Sequence, residues 1–485
     1  MGNFANAARE SARMTTTENG AKCYNTTGSN VLDLFSKAGG MRTRINDVRD
    51  AFSAAWNENP ELAIKLAFYC RDVRGGMGER DVAREMLRWV AEFYPATMRK
   101  NLKFIPEYGR WDDIYIFVGT KVENDVWQIV REQLTEDIKN VNSGKSCSLM
   151  AKWLKSVNTS SKKSVELGRL TARKLGLSYM QYQKTLAKLR KHINVTEVSM
   201  SANMWTDINY SAVPSKAMTN YRSAFARHDH DGFTDYINAV KSGEKTIHAS
   251  TLFPYDLVHK YMGGYYIRDK VDDVVEAQWK ALPNYIEGNN NVLVMADTSG
   301  SMYGQPIESA LGLAMYFAER NSGPYKNLFM TFSTNPKYIT LDEQSMLGNL
   351  KKAARAEWYG TTDLEKAFKK ILKTAMDNNL TDDEIPKALV IVSDMEFNPY
   401  LTHGANYFDA MKKLFASNGY TLPHVVFWCV NSRSSCQHHN YNDYVTTFSG
   451  NAASTFRDVL ATIGMNAYEA MLKVLNGERY AQIHA

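Results

Sequence analysis

Asn291-Val292-Leu293-Val294-Met295-Ala296-Asp297-Thr298-Ser299-Gly300-Ser301 decides how the second half of this chain folds. It opens as an unbroken apolar run rich in Val and Leu, the pattern of a strand buried on both faces of a parallel sheet. It closes in Asp-x-Ser-x-Ser, followed by a loop with Gly304 and Pro306 and a helical stretch from Ile307 to Asn321. One carboxylate and two hydroxyls, spaced two apart, leave the carboxyl end of a strand together. Ligands of open α/β sheets bind outside that end. All three groups are oxygen donors, which suits a hard cation such as Mg²⁺ or Mn²⁺.

Two later stretches complete the pattern. Gly360-Thr361-Thr362-Asp363 precedes a helix and offers a third hydroxyl, and Ala388-Leu389-Val390-Ile391-Val392-Ser393-Asp394 is a second buried strand ending in a carboxylate. In that order, the three elements resemble the metal-ion-dependent adhesion site of von Willebrand factor A domains. The resemblance implies that Ser299, Ser301 and Thr362 bind the metal by hydroxyl oxygen. It implies that Asp297 and Asp394 bind it directly or through water, and that Asp363 supports the site from behind. In such domains the metal holds an acidic group from a partner. The competing reading is that Asp, Ser and Gly stand here as ordinary strand-end turn residues. Glu396, two residues past Asp394, reads as a loop or helix-start carboxylate rather than a general base.

Around these strands, residues 286–485 read as one α/β unit. Strands are expected at 292–296, 328–333, 337–341, 388–393, 424–430 and 445–448. Helices are expected at 307–321, 342–356, 364–376, 406–418 and 452–475. Such alternation implies a doubly wound parallel sheet. Glu287 to Asn291 makes a boundary turn.

Upstream the pattern changes. Residues 1–30 are rich in Asn, Thr, Ala and Gly and read as an N-terminal arm that wraps a surface. Residues 31–285 read as a succession of amphipathic helices, at 60–69, 79–93, 124–141, 164–175, 178–192, 220–225 and 234–240. Ser178 is a candidate N-cap. Helices with short links and no strict sequence period suggest a solenoid or irregular bundle.

Charge divides the chain as well. Net charge is +6. Residues 1–285 hold 41 basic and 32 acidic side chains, and residues 286–485 hold 17 and 20. Residues 151–200 alone hold 11 against 2, so one block accounts for the whole excess. Lys162, Lys163, Arg169, Arg173, Lys174, Lys184, Lys188, Arg190 and Lys191 lie in it. Lys184, Lys188 and Lys191 share one helix face, as do Arg169 and Arg173. Such faces suit a polyanion, although most charge runs are solvated helix faces. Trp153, Tyr179, Tyr182 and Trp205 are aromatic side chains able to stack on bases or to fill the core. Arg71, Arg74 and Arg80 flank Gly75, Gly76 and Gly78. That loop reads either as a phosphate cradle or as a helix-connecting turn needing positive φ.

Other chemistry is thin. Five scattered cysteines without a CxxC pair point to reduced thiols in a cytoplasmic setting, with neither a disulfide framework nor a thiolate zinc site. No signal peptide or bilayer-length apolar run is visible. His228-Asp229-His230-Asp231 reads as a capping turn, and Cys436-Gln437-His438-His439 lacks a partner motif for zinc. No nucleophile triad, HExxH or dinucleotide fingerprint appears, so the chain reads as a non-enzyme.

The phrases "RDVRGGMGER", "IPEYGRWDDI", "AKWLK" and "VPSKAM" resemble the helical domain of TROVE and Ro-type proteins, above all a branch of uncharacterised relatives with the same layout. The resemblance runs from about Thr15 to the C-terminus. It implies a HEAT-like helical repeat domain followed by a Rossmann-like von Willebrand factor A domain. It also implies RNA as partner: small non-coding or misfolded RNA held on basic faces of a helical ring that the A domain closes. The alternative expectation is a metal-dependent protein-interaction scaffold. A hydrolase acting at Asp297 and Asp394 is a third.

Overall fold

Two short strands near the N-terminus, β1 (Met14–Thr16) and β2 (Lys22–Tyr24), pair as an antiparallel hairpin. The main sheet has six strands: β3 (Val292–Asp297), β4 (Leu328–Phe332), β5 (Lys337–Thr340), β6 (Ala388–Ser393), β7 (His424–Cys429) and β8 (Val445–Ser449). Their spatial order is β8-β7-β6-β3-β4-β5. Every residue of β3, β6 and β7 is buried, as the unbroken apolar runs require. The computed structural model describes residues 13–263, 266–356, 358, 360–399, 407–440 and 443–485. The first twelve residues of the expected arm, and the start of the helix expected at 406, lie outside them.

The sheet is mixed rather than wholly parallel. β3 pairs in parallel with β4 and β6, β6 with β7, and β7 with β8, whereas β5 runs antiparallel to β4. The link 333–336 is long enough for a hairpin and far too short for a crossover, which needs roughly a dozen residues. From β3 the chain crosses through the helix Gln305–Arg320 to β4. After the β4–β5 hairpin it returns through the helix Leu364–Asp377 to β6, on the other side of β3. The winding direction therefore reverses between β3 and β6.

Two helix expectations change. The stretch expected at 342–356 is helical only over Met346–Ala353. The one expected at 452–475 is two helices, Thr455–Thr462 and Ala467–Leu475, separated at Gly464 with φ +90. A helix cannot continue through that left-handed conformation.

By contacts the chain divides into two compact units. One comprises the chain up to Val82 together with Ala249–Gln482, the other Ala83–His248 with Ile483–Ala485. This differs from the linear division at residues 30 and 285. The N-terminal residues join the sheet unit because they pack on it. The Gly39 N–H donates to Ser449 Oγ (3.0 Å), and that hydroxyl donates to the Phe35 carbonyl (2.9 Å). Cys23 of β2 is disulfide-paired with Cys436, at a Cα–Cα distance of 5.7 Å. The expectation of all-reduced, scattered thiols is corrected here, because a pair 413 residues apart leaves no spacing to read. Among the described residues no helix is long and apolar enough to cross a membrane.

The second unit is helical. Its helices include Glu123–Asn142, Lys162–Lys174, Tyr179–His192, Ser215–His228 and His230–Lys241. Ser178 caps the third of these, accepting from the Gln181 N–H. Trp127, Tyr182 and Phe225 are buried in this unit.

Candidate functional site

β3 and β6 are neighbours, with Ala296 beside Val392, and they release Asp297 and Asp394 at their carboxyl ends. This is the point where the winding reverses, and there the connecting loops part to leave a crevice. Asp297, Ser299, Thr362 and Asp394 are each at most 1% exposed, and Ser301 is half-buried. The Ser299 N–H donates to Asp297 Oδ1 (2.9 Å), and Ser393 Oγ donates to Asp297 Oδ2 (2.5 Å). The hydroxyls of Ser299 and Ser301 stand 3.2 Å apart.

The third loop is tied to the other two. The Gly300 N–H donates to the Gly360 carbonyl (3.3 Å), and the Asn398 N–H to the Thr362 carbonyl (3.1 Å). Asn398 Oδ1 accepts from the Thr362 N–H (3.1 Å). Asp363 stands just before the helix that follows this loop. Its side chain caps the helix Leu364–Asp377, accepting from the Lys366 N–H (3.0 Å).

The electrostatics of this cluster are set by burial and by the closeness of two carboxyls. Burial, then the charge of Asp394, pushes the Asp297 carboxyl up to about 7. Burial raises Asp394 as well, against the opposing pull of the Ser301 hydroxyl. Two carboxylates buried side by side disfavour each other's ionised form. Asp394 Oδ2 is buried without a hydrogen-bond partner, a costly state for a charged oxygen. Arg433 Nη1 is the nearest cationic group to it, at 3.9 Å. The oxygen-only donors, their burial and the orphaned carboxylate oxygen all fit a hard divalent cation. Glu396 is not placed as a base, since its Oε2 accepts from the Glu18 N–H (2.8 Å) and the residue is 1% exposed.

The basic residues divide. Lys162, Lys163, Arg169, Arg173, Lys184, Lys188 and Lys191 are exposed on the helices Lys162–Lys174 and Tyr179–His192. Arg169 stands over the exposed Tyr179 ring at 5.7 Å, and Lys188 donates to Asn142 Oδ1 (2.5 Å). Lys174 is ion-paired with Glu123 (2.8 Å). Arg190 turns inward: its guanidinium donates to the carbonyls of Ala151 (2.8 Å) and Leu154 (2.7 Å) and to Ser156 Oγ (2.8 Å), and burial lowers its pKa. It holds the 151–156 turn and is removed from the set of candidate phosphate contacts.

Arg71 is removed for the same reason, being 3% exposed at the end of the helix Pro60–Arg71. The Gly-rich loop after it is a turn, not a cradle. The N–H groups of Arg74 and Gly75 donate to Asp72 Oδ1, those of Gly76 and Gly78 to the Asp72 carbonyl, and that of Met77 to the Tyr69 carbonyl. A Cβ on Gly76 would fall 2.1 Å from the Tyr69 carbonyl oxygen, so the close turn requires glycine there. Arg74 and Arg80 are exposed, the latter paired with Asp81 (2.8 Å).

Of the aromatic candidates, Tyr182 is core, Trp153 lies under the Arg110 guanidinium (4.3 Å) and Trp205 stacks on His228 (4.2 Å). His228 ends one helix and His230 begins the next, with Asp229 between them. The site residues missed by sequence reasoning are Ser393 as a partner of Asp297, Asn398, and Arg433. Only Ser393 left a signal, in the Ser-Asp ending of its strand.

Comparison with known proteins adds four findings. The Domain of unknown function (DUF7788) family matches residues 291–481. "Uncharacterized protein L728" of Acanthamoeba polyphaga mimivirus is 29% identical over 506 aligned residues, which cover 96% of this chain and 87% of that protein. The crystal structure of the Deinococcus radiodurans RO (RSR) protein is similar at a TM-score of 0.44 and 15% identity, covering 93% of this chain and all of that one. The Domain of unknown function (DUF2828) family matches residues 17–128 and 121–291, more than half the chain, and to that family this chain belongs.

Proposed function

We propose that this chain is a divalent-cation-dependent binding protein rather than an enzyme. Its sheet unit acts in the manner of a von Willebrand factor A domain. Ser299, Ser301, Thr362, Asp297 and Asp394 would hold Mg²⁺ or Mn²⁺, and the bound cation would supply an electrophilic position for an acidic group of a partner. The observation that carries this reading is the buried Asp394 Oδ2, which accepts no hydrogen bond, beside Asp297 at the reversal of the sheet. Ser299 and Ser301 add neutral oxygen donors 3.2 Å apart. Calorimetric titration of the full chain with Mn²⁺ tests it. Saturable binding that Asp297→Ala abolishes is expected, and a chain that takes up no Mn²⁺ at millimolar concentration overturns it.

RNA is the second ligand we propose, on the helical unit. Seven cations are exposed on two helices, and none forms an ion pair among the described residues. Unspent cationic charge of this density favours a phosphate backbone through counterion release. Titration with small structured RNAs at several salt concentrations tests it. Affinity whose logarithm falls steeply with log salt supports the reading, and indifference to RNA at low salt rejects it.

A further inference from the structure

The N-terminal hairpin lies on the loops that follow β6 and β7. Thr17 Oγ1 donates to the Phe397 carbonyl (2.8 Å), the Glu18 N–H to Glu396 Oε2 (2.8 Å), and Asn19 Nδ2 to the Glu396 carbonyl (2.5 Å). Tyr24 and Gln437 exchange both backbone hydrogen bonds (2.8 and 2.7 Å). Ala21 is packed in one apolar cluster with Met395, Phe397, Phe427 and Cys429. Glu18 pairs with Arg433 (2.5 Å), the same guanidinium that stands 3.9 Å from Asp394. The strap therefore covers Glu396 and Phe397, which are at most 3% exposed, and occupies the cation next to Asp394. Its one covalent attachment to those loops is the Cys23–Cys436 bond, at the far end of the hairpin from Glu18.

We propose that Cys23 and Cys436 form a redox latch, whose disulfide holds the strap 14–24 closed over the loops after β6 and β7 and whose reduction releases it. The step is a two-electron exchange. A dithiol reductant attacks the Cys23–Cys436 bond, two protons and two electrons pass to the two sulfurs, and the reductant leaves as its own disulfide. Disulfide exchange with an oxidised dithiol closes the latch again. Cys429 lines the same cavity as Cys436, and burial pushes its thiol up to about 12. It stays protonated and does not compete as a nucleophile. Release frees Arg433 from Glu18 and bares the polar backbone of 396–398 and 437. The latch requires no metal, so it stands or falls separately from the cation site.

The test is hydrogen–deuterium exchange of the full chain in EDTA, with and without dithiothreitol, beside Cys23→Ser, Cys436→Ser and Cys429→Ser. Non-reducing peptide mapping comes first and should recover Cys23 and Cys436 in one linked peptide pair. Exchange in segments 14–24 and 394–399 should then rise at least tenfold on reduction. The Cys23→Ser and Cys436→Ser chains should show the fast rate with or without reductant, and Cys429→Ser should respond like the parent. Failure to find the linked pair after mild oxidation overturns the latch. So does equal protection of segment 14–24 in the oxidised and reduced chain.

Discussion

The carboxyl edge of the sheet and the helices Lys162–Lys174 and Tyr179–His192 carry opposite charge, and they place it differently. At the sheet edge, like charges are buried together: Asp297 and Asp394 are each at most 1% exposed. On the helices the cations are spread over exposed faces. Two carboxyls buried side by side disfavour each other's ionised form, and burial raises both. An exposed row costs little and is common, so its meaning rests on what it binds. Arg190 sharpens the contrast, because it belongs to the basic row by sequence and to the interior by structure.

The largest expected effect is at the sheet edge. Asp394→Asn should weaken Mn²⁺ binding by more than about 100-fold, since even residues behind metal ligands typically cost about 10–100-fold. Electron paramagnetic resonance of free Mn²⁺ measures it, and an unchanged affinity would erase the distinction drawn between the two regions. Arg190→Ala should destabilise the chain by roughly 2–3 kcal/mol, because two backbone carbonyls and a hydroxyl lose a charged donor. Lys184→Ala, on the same helix, should fall within about 0.5 kcal/mol of the parent. Urea unfolding separates the two, and equal losses would return Arg190 to the surface set.

Titration gives a third comparison. A carboxyl raised in the folded state holds its proton more tightly folded than unfolded. The metal-free chain is thus favoured at low pH by Asp297, and it loses that contribution as pH rises from about 4, the unfolded carboxyl range, through about 7. Mg²⁺ should raise the melting temperature little near pH 5 and most above pH 7. Asp297→Asn should remove that dependence. A stabilisation by Mg²⁺ that is flat with pH would mean the cation binds elsewhere. The smallest effect is expected on the helices. Alanine at Lys184, Lys188 and Lys191 together should lower the salt slope of RNA binding by roughly 2–3, near 0.7–0.9 per lost phosphate contact. An unchanged slope would leave those lysines as a solvated face.

Parts of this were legible from residue patterns because local chemistry fixes them. The apolar runs 292–296 and 388–393 read as strands covered on both faces, and both are fully buried strands. Ser178 caps a helix because its hydroxyl meets an N–H three residues on. Asp297, Ser299 and Ser301 travel together because they lie in one turn. Long-range partners left no such trace. The antiparallel edge strand β5 hid in an α/β alternation, because the 333–336 link decides direction and the strand pattern does not.

By itself, then, the sequence determined the buried strands of the sheet and most of the helices, where carboxylates and hydroxyls leave the sheet, and where cations concentrate, since each depends on residues within a few positions of one another. Tertiary structure alone decided that Asp394 Oδ2 accepts no hydrogen bond, that Arg190 and Arg71 face inward, and that Cys23 meets Cys436. Those outcomes depend on which surfaces come together across hundreds of residues, and burial and charge pairing are properties of the assembled neighbourhood rather than of any stretch of chain.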